Sequence, residues 1–356
     1  MPLDITGLRL RNQRLSGPRF GQPEEAVAWR GAVQAQEYAD SKWALALRTR
    51  RTSEQAIERA VTAGTILRTH VLRPTWHFVA AADIRWMLSL TGPRVSARMS
   101  PYNKHLELDA SVFRKSLATI ARALRGGVQL TRRELRPILE RAGVRTDGVQ
   151  RLAHIVMQAE VEAVICSGAW RGNQPTYALL DDRVPASRAL SRDDALAELT
   201  RRYFRSHGPA QVADLVWWSG LTTGDARRGV AMIERELDRD EIDGKTYWFS
   251  RTAKPPSRES SYLLGLYDEY LIAYKDRSAA VDKARWKRAA LHPFSAPILV
   301  NGQVVGGWRR FVKNDRMMIA LTTFGALSRK DRAAVDEAAQ SYAAFFKLDL
   351  DLSRRE

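Results

Sequence analysis

Two neutral amide side chains, Gln34 and Gln36, lie one residue apart in the segment GAVQAQEYADSKWAL. An amide cannot act as a general base at neutral pH, but its carbonyl oxygen can hold a water molecule and direct a dipole at developing positive charge. In a continuous helix residues i and i+2 diverge by about 200°, whereas in an extended segment they share a face. A joint role for both amides therefore requires a non-helical QAQ. The alternative is that both are solvated residues of a surface turn.

Few other residues offer chemistry. Asp268 and Glu269 are adjacent in YDEYLIAYKDR, and neighbours on a strand point to opposite faces, so we expect a structural ion pair or turn contact rather than a catalytic pair. Cys166 is the only cysteine, and its apolar neighbourhood indicates packing. The histidines have no metal-ligand spacing and glycine-rich phosphate loops are missing from the sequence. We therefore predict no metal and no cofactor.

The charge of the chain indicates a polyanionic partner. The sequence has 356 residues, 57 Lys plus Arg against 40 Asp plus Glu, a formal net charge of +17 and 45% hydrophobic residues. A folded chain with this positive field favours nucleic acid. The alternative is that the arginine content reflects a GC-rich genome. The sequence has no signal peptide and no apolar segment long enough for a membrane span, so we predict a cytoplasmic protein without a membrane partner.

Capping and turn signals predict how the glutamines are positioned. Asp40 or Ser41 is expected to cap one helix, and Thr52 with Gln55 forms a capping box for a second helix that ends at Gly64. Two short strands rich in β-branched and aromatic residues follow. The residues QAQEY precede the first of these helices and are expected to form a connection.

The pattern of two helices and paired strands occurs twice more. The second copy opens with a capping box at Thr131 and Glu134, continues with a helix from about Asp147 to Cys166, and ends with a strand in PTYALLDD. The third has three helices and a hairpin with an Asp-Gly turn at 243–244. Each copy matches a winged helix, a member of the helix-turn-helix class. Winged helices also serve in protein interactions, so contact of all three with DNA does not follow.

From about Pro255 the composition changes to strand candidates, including SSYLLGLYDEYLIAY, APILV, QVVGGWRRFV and RMMIALTTF, then a helix and a final strand LDLDL. We predict an α+β fold of tandem winged-helix (helix-turn-helix) domains with a C-terminal β-rich or barrel-like unit, joined by the linker PSRESS. The predicted domains are 1–105, the first winged helix with the QAQ motif, 106–190, the second, 191–254, the third, and 255–356, the C-terminal α+β unit.

Candidate DNA contacts lie on strands and turns. Thr75 and His77 share one face of a strand and Trp76 the other, so either the imidazole lines a DNA-facing site or the indole packs inward. Arg309 and Arg310 follow a glycine pair in a predicted hairpin, from which they can reach phosphates unless the hairpin is a solvated edge. The predicted DNA-binding residues are Arg73, Thr75, Trp76, His77, Arg309 and Arg310.

Several blocks, in order along most of the chain, resemble the AlkZ-like family of bacterial winged-helix DNA glycosylases, which also includes YcaQ. These blocks are GAVQAQ with the helix SKWAL, LRTHVLRPTWHFV, RYFRSHGPAQVADLVWWSGL, YDEYLIAYKDR and VVGGWRR. The family's catalytic signature is glutamine, a hydrophobic residue, then glutamine or aspartate. Gln34-Ala35-Gln36 is similar to the glutamine-ending form, so the resemblance implies that Gln34 and Gln36 are catalytic.

The resemblance further implies a monofunctional DNA glycosylase for cationic alkylated purines, N7-alkylguanine and N3-alkyladenine, in double-stranded DNA, with bulky or interstrand-crosslinked adducts as further substrates. Such a purine already carries positive charge and leaves as a neutral base without protonation, so two amides that position a water are sufficient. The QAQ motif has no neighbouring lysine for a Schiff base. We expect a monomer. The alternatives are a non-enzymatic winged-helix DNA-binding regulator, or an RNA- or protein-binding scaffold.

Overall fold

The computed structural model describes residues 3–186, 189–250, 260–288 and 294–355. Helices and strands are numbered in chain order, beginning with α1 (Ile5–Asn12). This helix is held to a distant part of the chain, because Arg9 Nε donates to the carbonyl of Pro209 (2.9 Å) and Asn12 Nδ2 donates to that of Gly208 (2.8 Å).

The first unit has the order helix, strand, helix, helix, strand, strand. Its elements are α2 (Pro23–Arg30), β1 (Ala32–Gln34), α3 (Tyr38–Ala46), α4 (Glu54–Ala63), β2 (Ile66–His70) and β3 (Trp76–Ala80). The strands form an antiparallel sheet in the order β1-β3-β2. Gly64 ends α4 with a φ of 82°, as predicted, because glycine adopts this left-handed conformation without steric cost.

Both predicted helix caps in this unit were wrong, by three or four residues for α3 and by one residue for α4. Helix α3 begins at Tyr38 and not after Asp40 or Ser41. The Asp40 carboxylate accepts instead from the Leu266 N–H (3.0 Å) and the Tyr342 hydroxyl (3.1 Å), so a tertiary contact takes the role that we assigned to capping.

Helix α4 is capped by Ser53 and not by the pair Thr52 and Gln55. The Ser53 hydroxyl accepts from the Ala56 N–H at 3.2 Å. Serine and threonine are equally suited to this position, so the cap moves by one residue without changing the helix.

A long helix, α5 (Ile84–His105), leads to the second unit, and sequence analysis did not predict it. The second unit contains α6 (Ala110–Ala123), β4 (Leu130–Thr131), α7 (Arg132–Arg141), α8 (Val149–Val161), β5 (Ile165–Arg171), β6 (Gln174–Leu179) and the short α9 (Leu180–Arg183). The capping box of Thr131 and Glu134 is confirmed. The helix predicted to reach Cys166 is shorter, since the chain turns at Ala163 (φ 56°) and Cys166 lies buried in β5.

The third unit confirms the predicted order of three helices and a hairpin. Its elements are α10 (Arg192–His207), α11 (Val212–Ser219), α12 (Thr223–Ile233), a 3-10 turn (Glu234–Glu236), β7 (Leu237–Ile242) and β8 (Lys245–Ser250). Ile242 pairs with Lys245, which places residues 243–244 at the turn. All three units therefore contain the helix pairs and strands from which a winged helix is built, while their division into domains stays a prediction.

The C-terminal unit is rich in β structure, as predicted. It contains β9 (Ser261–Leu263), α13 (Glu269–Ile272), α14 (Lys283–Arg288), β10 (Ala296–Val300), β11 (Gln303–Lys313), β12 (Arg316–Thr323), α15 (Arg329–Phe345) and β13 (Asp349–Arg355). The curled sheet has the order β13-β12-β11-β10-β9, with β13 parallel to β12. Residues 256–259 of the predicted linker lie outside the described residues.

The segment SSYLLGLYDEYLIAY is not a continuous strand. Only its first residues form β9, and Asp268 then caps the short helix α13 by accepting from the Tyr270 N–H (2.9 Å). The α+β class itself is confirmed. In the described ranges, no helix combines the length and apolarity that a membrane crossing requires.

The sheet of the first unit is covered on both faces, which explains why β2 is buried along its whole length. On one face Val33 and Phe78 pack against helices of the same unit. On the other face Ala32, Leu67 and Val79 join a larger core that includes Tyr203 of α10 and Trp218 of α11. The second face therefore lies at the junction with the third unit.

Candidate active site

The QAQ motif is not helical: it begins at the end of an edge strand, and Gln36 lies in the bend that follows. Gln34 is the last residue of β1 and pairs with His77 of β3. The Ala35 N–H still donates to the Trp76 carbonyl (2.7 Å), so the chain stays extended through the middle of the motif. Gln34 is half-buried and Gln36 is exposed. The requirement for a non-helical QAQ is therefore met, with one amide inside and one at the surface.

Arg68 holds the motif from the opposite face of the sheet. Its Nε donates to the Ala35 carbonyl (3.0 Å) and its Nη2 to the Gln36 carbonyl (3.4 Å). The guanidinium lies 4.2 Å from the Trp76 ring, which packs 4.7 Å from His70. Trp76 is thus a half-buried packing residue that supports Arg68, whereas His77 is fully buried on the other face.

Three polar side chains form a row across the inner face of this sheet. His77 pairs with Gln34 on one side and with Thr69 on the other, and directly opposed residues have Cβ atoms about 4.5–5.5 Å apart. Gln34 Oε1, His77 Nε2 and Thr69 Oγ1 are buried and have no hydrogen-bond partner among the described residues. Buried polar groups are nearly always satisfied in proteins. Three exceptions in one row make this face the candidate site for a polar ligand.

The geometry fixes the tautomer of His77. Its Nδ1 lies 2.8 Å from the Thr75 carbonyl, which can only accept, so Nδ1 carries the proton and Nε2 is an acceptor. Burial, together with the positive charge of Arg73, lowers the pKa of His77 from 6.5 to about 3. The imidazole is therefore neutral at physiological pH and offers an unprotonated nitrogen to the polar row.

A buried carboxylate lies behind Gln34. The Gln34 N–H donates to Glu269 Oε1 (2.8 Å), and Trp218 Nε1 donates to Glu269 Oε2 (3.0 Å). Burial opposes ionisation, but the contact with His207 and the positive charge of Arg73 outweigh it and lower the pKa of Glu269 to about 2. Glu269 therefore carries a full negative charge inside the protein.

Asp268 has a different environment from its neighbour. Its two oxygens accept from Arg48 Nη1 (2.8 Å) and Nη2 (2.7 Å), and both side chains are fully buried. The expectation of a structural ion pair is confirmed for Asp268. Around Glu269, in contrast, no lysine or arginine of the described chain comes within 4 Å, and the nearest titratable partner is His207 Nε2 at 3.7 Å.

A cationic cleft lies within electrostatic reach of the polar row, because Arg73, one of its lining residues, lowers the pKa of His77. Arg73, in the turn between β2 and β3, lines a cleft of about 510 Å³ together with other cations and an exposed tryptophan. Burial lowers the pKa of Arg73, and its Nε and Nη2 lack partners within the described ranges. The principal polar and aromatic lining residues come from α5, α11, α12 and the segment after α13, namely Arg98, Trp217, Arg227 and Lys275.

Arg309 and Arg310 of β11 lie apart from this row. Arg310 forms an ion pair with Asp40 of α3 and lies 5.4 Å from the Tyr342 ring. Arg309 lies 5.2 Å from the ring of Phe311. The charge of Arg310 is thus balanced within the protein, whereas Arg309 forms no ion pair among the described residues.

Sequence analysis overlooked Thr69 and discounted Glu269. Thr69 has a local signal, because Leu67, Thr69 and Val71 alternate on one strand face and a hydroxyl interrupts an apolar series. Glu269 has none, since it reaches Gln34 across 235 positions of the chain.

Comparison with known proteins defines the class. A family model described as DNA glycosylase AlkZ-like matches residues 27–345. The protein is therefore a DNA glycosylase, an enzyme that hydrolyses N-glycosyl bonds. The chain belongs to the AlkZ-like family, as its sequence blocks implied. Within the described part of the chain, no three His, Cys, Asp or Glu side chains form a group that could hold a metal ion.

Similarity to a Streptomyces sahachiroi glycosylase, in sequence and in structure, supports this result. An interstrand DNA cross-link repair glycosylase of Streptomyces sahachiroi is 23% identical over 317 residues, which cover 84% of this chain and 85% of that protein. The solved structure of the Streptomyces sahachiroi DNA glycosylase AlkZ has the same fold, with a TM-score of 0.82 and 20% identity over 99% of this chain and 98% of that chain.

Proposed function

We propose that this glycosylase hydrolyses the N-glycosidic bond of cationic alkylated purines, N7-alkylguanine and N3-alkyladenine, in double-stranded DNA. Gln34 and Gln36 position the attacking water. The observation that carries the proposal is the buried Gln34 Oε1, which has no partner in the described structure and lies in one row with His77 Nε2. Bulky and interstrand-crosslinked adducts belong to the same substrate class, and the name of the Streptomyces sahachiroi relative supports this extension.

Hydrolysis of a cationic purine nucleotide does not require a strong acid or base from the enzyme, so amide side chains are sufficient. The bond between C1′ and the purine nitrogen breaks, and its electron pair neutralises the positive charge of the base. Water adds to C1′ and loses a proton to solvent. Because the leaving base needs no protonation, the enzyme has only to orient water and stabilise positive charge on the sugar. Amide carbonyls and the neutral His77 Nε2 provide acceptors for this water.

The cationic cleft provides the DNA contacts in this proposal. Arg73 and Arg227 bind backbone phosphates next to the lesion, where each neutralised phosphate releases counterions. Thr75 and His77 contact the sugar end of the site, while Trp76 acts through Arg68. Arg309 contacts a phosphate from β11, with Arg310 as its internally paired neighbour.

Release of N7-methylguanine tests the proposal. A duplex with one such base is incubated with the protein, and abasic sites are detected as strand breaks after alkali. We expect breaks at the lesion that exceed spontaneous depurination in an enzyme-free control, and intact strands without alkali. Equal breakage with and without enzyme would contradict the proposal, and breakage without alkali would indicate a lyase step. An undamaged duplex of the same sequence serves as the matched control.

A further inference from the structure

Glu269 has a role that the water-positioning mechanism leaves unexplained. A buried carboxylate is costly unless it is paired, and most are held by an arginine or a lysine. Both Glu269 oxygens instead accept from neutral donors, the Gln34 N–H and the Trp218 indole N–H. The charge is thus kept inside the protein and is directed at the strand that ends in Gln34.

The charges that surround Glu269 are arranged unevenly. Arg48 is neutralised by Asp268, while Arg30 is fully buried and burial lowers its pKa to about 9. With this pKa Arg30 stays protonated at physiological pH, so Arg30 and Arg73 both act on Glu269 as cations, and of the two only Arg73 lines the cleft that we assign to phosphate. His207 faces Glu269 from α10, with its Nε2 3.7 Å from the carboxylate, and burial lowers the pKa of the imidazole. A phosphate bound to Arg73 therefore leaves the negative charge of Glu269 less compensated when DNA is present.

We propose that Glu269 is a positioning residue of the glycosylase reaction, an inference that rests on the proposed function. It holds the backbone of Gln34, and it keeps a negative charge behind that residue while positive charge develops on the sugar. A charge in a water-excluded site acts over a longer distance than in solvent and requires no reorganisation during the reaction. Both oxygens are engaged by donors, so Glu269 supports the transition state without contacting the water.

A cationic mimic of the sugar tests the electrostatic part. Two duplexes are compared, one with a pyrrolidine abasic nucleotide, which is protonated and resembles the developing cation, and one with the neutral tetrahydrofuran analogue. We expect the wild-type protein to bind the pyrrolidine duplex at least about 10-fold more tightly. Glu269→Gln is expected to reduce this ratio to about 2-fold or less. Both affinities are measured on the same sample, so a fraction of unfolded protein cancels from the ratio.

Single-turnover release of N7-methylguanine tests the kinetic part. Glu269→Gln is expected to slow release by about 10- to 100-fold, or about 1.4–2.7 kcal/mol at 1.36 kcal/mol per tenfold change, while the Kd for undamaged duplex changes less than 3-fold. Glu269→Asp keeps the charge but shortens the reach to the Gln34 N–H. This variant is expected to keep the preference for the pyrrolidine duplex but to release N7-methylguanine more slowly. The comparison separates the effect of the charge from the effect of positioning, and it can be made even if Glu269→Gln folds poorly.

Asp268→Asn is the matched control, because it removes the adjacent buried carboxylate. It is expected to lower the melting temperature, and to reduce the pyrrolidine ratio and the release rate of folded protein less than Glu269→Gln does, because it frees the charge of Arg48 but leaves Glu269 charged. An unchanged ratio and rate in Glu269→Gln would overturn the inference, as would equal losses in both variants. Failure of the wild-type protein to release N7-methylguanine would instead contradict the proposed function, so the two failures are distinguishable.

Discussion

His77 Nδ1 donates to the carbonyl of Thr75, two residues earlier on the same strand, at 2.8 Å. This short-range bond sets the tautomer and the ring orientation, so that Nε2 faces the same side of the sheet as the Gln34 side chain. The histidine thus enters the row as an acceptor before any DNA is bound. A preorganised acceptor requires no rearrangement in the transition state.

Replacement of both glutamines should abolish base release without loss of DNA binding. The double variant Gln34→Ala, Gln36→Ala loses the amides that hold water, and we expect release of N7-methylguanine to fall at least about 100-fold, or about 2.7 kcal/mol. The Kd for duplex should stay within a few-fold, because the cationic cleft is intact. Single-turnover kinetics and fluorescence anisotropy measure the two quantities. Weakened binding with normal single-turnover release would refute the assignment.

Removal of the Thr69 hydroxyl should cost rate but not stability. Thr69→Val keeps the shape and removes a buried oxygen that has no partner in the described chain, so the free energy of unfolding should stay equal or rise by about 1 kcal/mol. We expect release to slow by about 5- to 10-fold, roughly 1 kcal/mol of hydrogen bonding to the ligand. Thr200→Val is the control, since that hydroxyl donates to the Leu196 carbonyl (2.7 Å) and should affect stability alone.

The buried His77 should make the protein sensitive to acid. The pKa of His77 in the folded protein, about 3, lies below the usual 6.5. Between pH 3 and pH 6.5, therefore, the imidazole binds a proton in the unfolded chain but not in the folded protein. Stability therefore falls as pH decreases below 6.5. In urea unfolding, the wild-type protein should lose about 1 kcal/mol more than His77→Gln between pH 6 and pH 5. Equal losses in the two proteins would show that His77 is not buried as a neutral ring.

Binding through the cationic cleft should depend on salt. Arg227→Ala removes one proposed phosphate contact, and the slope of log Kd against log salt concentration should decrease by about 1. The loss should be similar for damaged and undamaged duplex, because phosphates carry no sequence information. Arg145→Ala serves as the control, since Glu107 and Asp147 already pair with that side chain. A changed slope in the control alone would place the DNA on another surface.

Loss of the Asp268 carboxylate should destabilise the fold strongly. Asp268→Asn leaves Arg48 buried without its counter-charge, which typically costs about 3–5 kcal/mol. Urea unfolding followed by circular dichroism measures this loss. An effect below about 1 kcal/mol, the range of exposed pairs, would mean that solvent reaches the Arg48 guanidinium.

Local features of the fold were predictable from the sequence, and long-range ones were not. The capping box at Thr131, the turn at 243–244 and the non-helical QAQ depend on neighbouring residues, and the structure has each of them. Asp40 has the right type for a helix cap, but its carboxylate contacts β11 and α15 instead. Propensity rules do not include such tertiary contacts.

In the candidate site, too, the long-range contacts could not be predicted from the sequence. The spacing of Gln34 and Gln36 set only the condition that a joint role requires a non-helical segment, and the catalytic role came from the family resemblance. Glu269 was read as part of a strand and was judged against its neighbour Asp268, although its real partner is Gln34. Only packing of the C-terminal unit against the first sheet reveals this pairing, because 235 residues separate the two.

The sheet that carries Gln34 has its inner face closed by helices from the third unit, and Gln34 itself is bonded to α13 of the C-terminal unit. A truncated protein that stops after the second unit would retain the complete signature sequence and still lack the indole and the acid that anchor it. The three-residue motif alone is therefore not expected to confer the activity on another protein. To build this activity into another protein, one would have to transfer the buried indole and carboxylate that anchor the motif as well as the two amides.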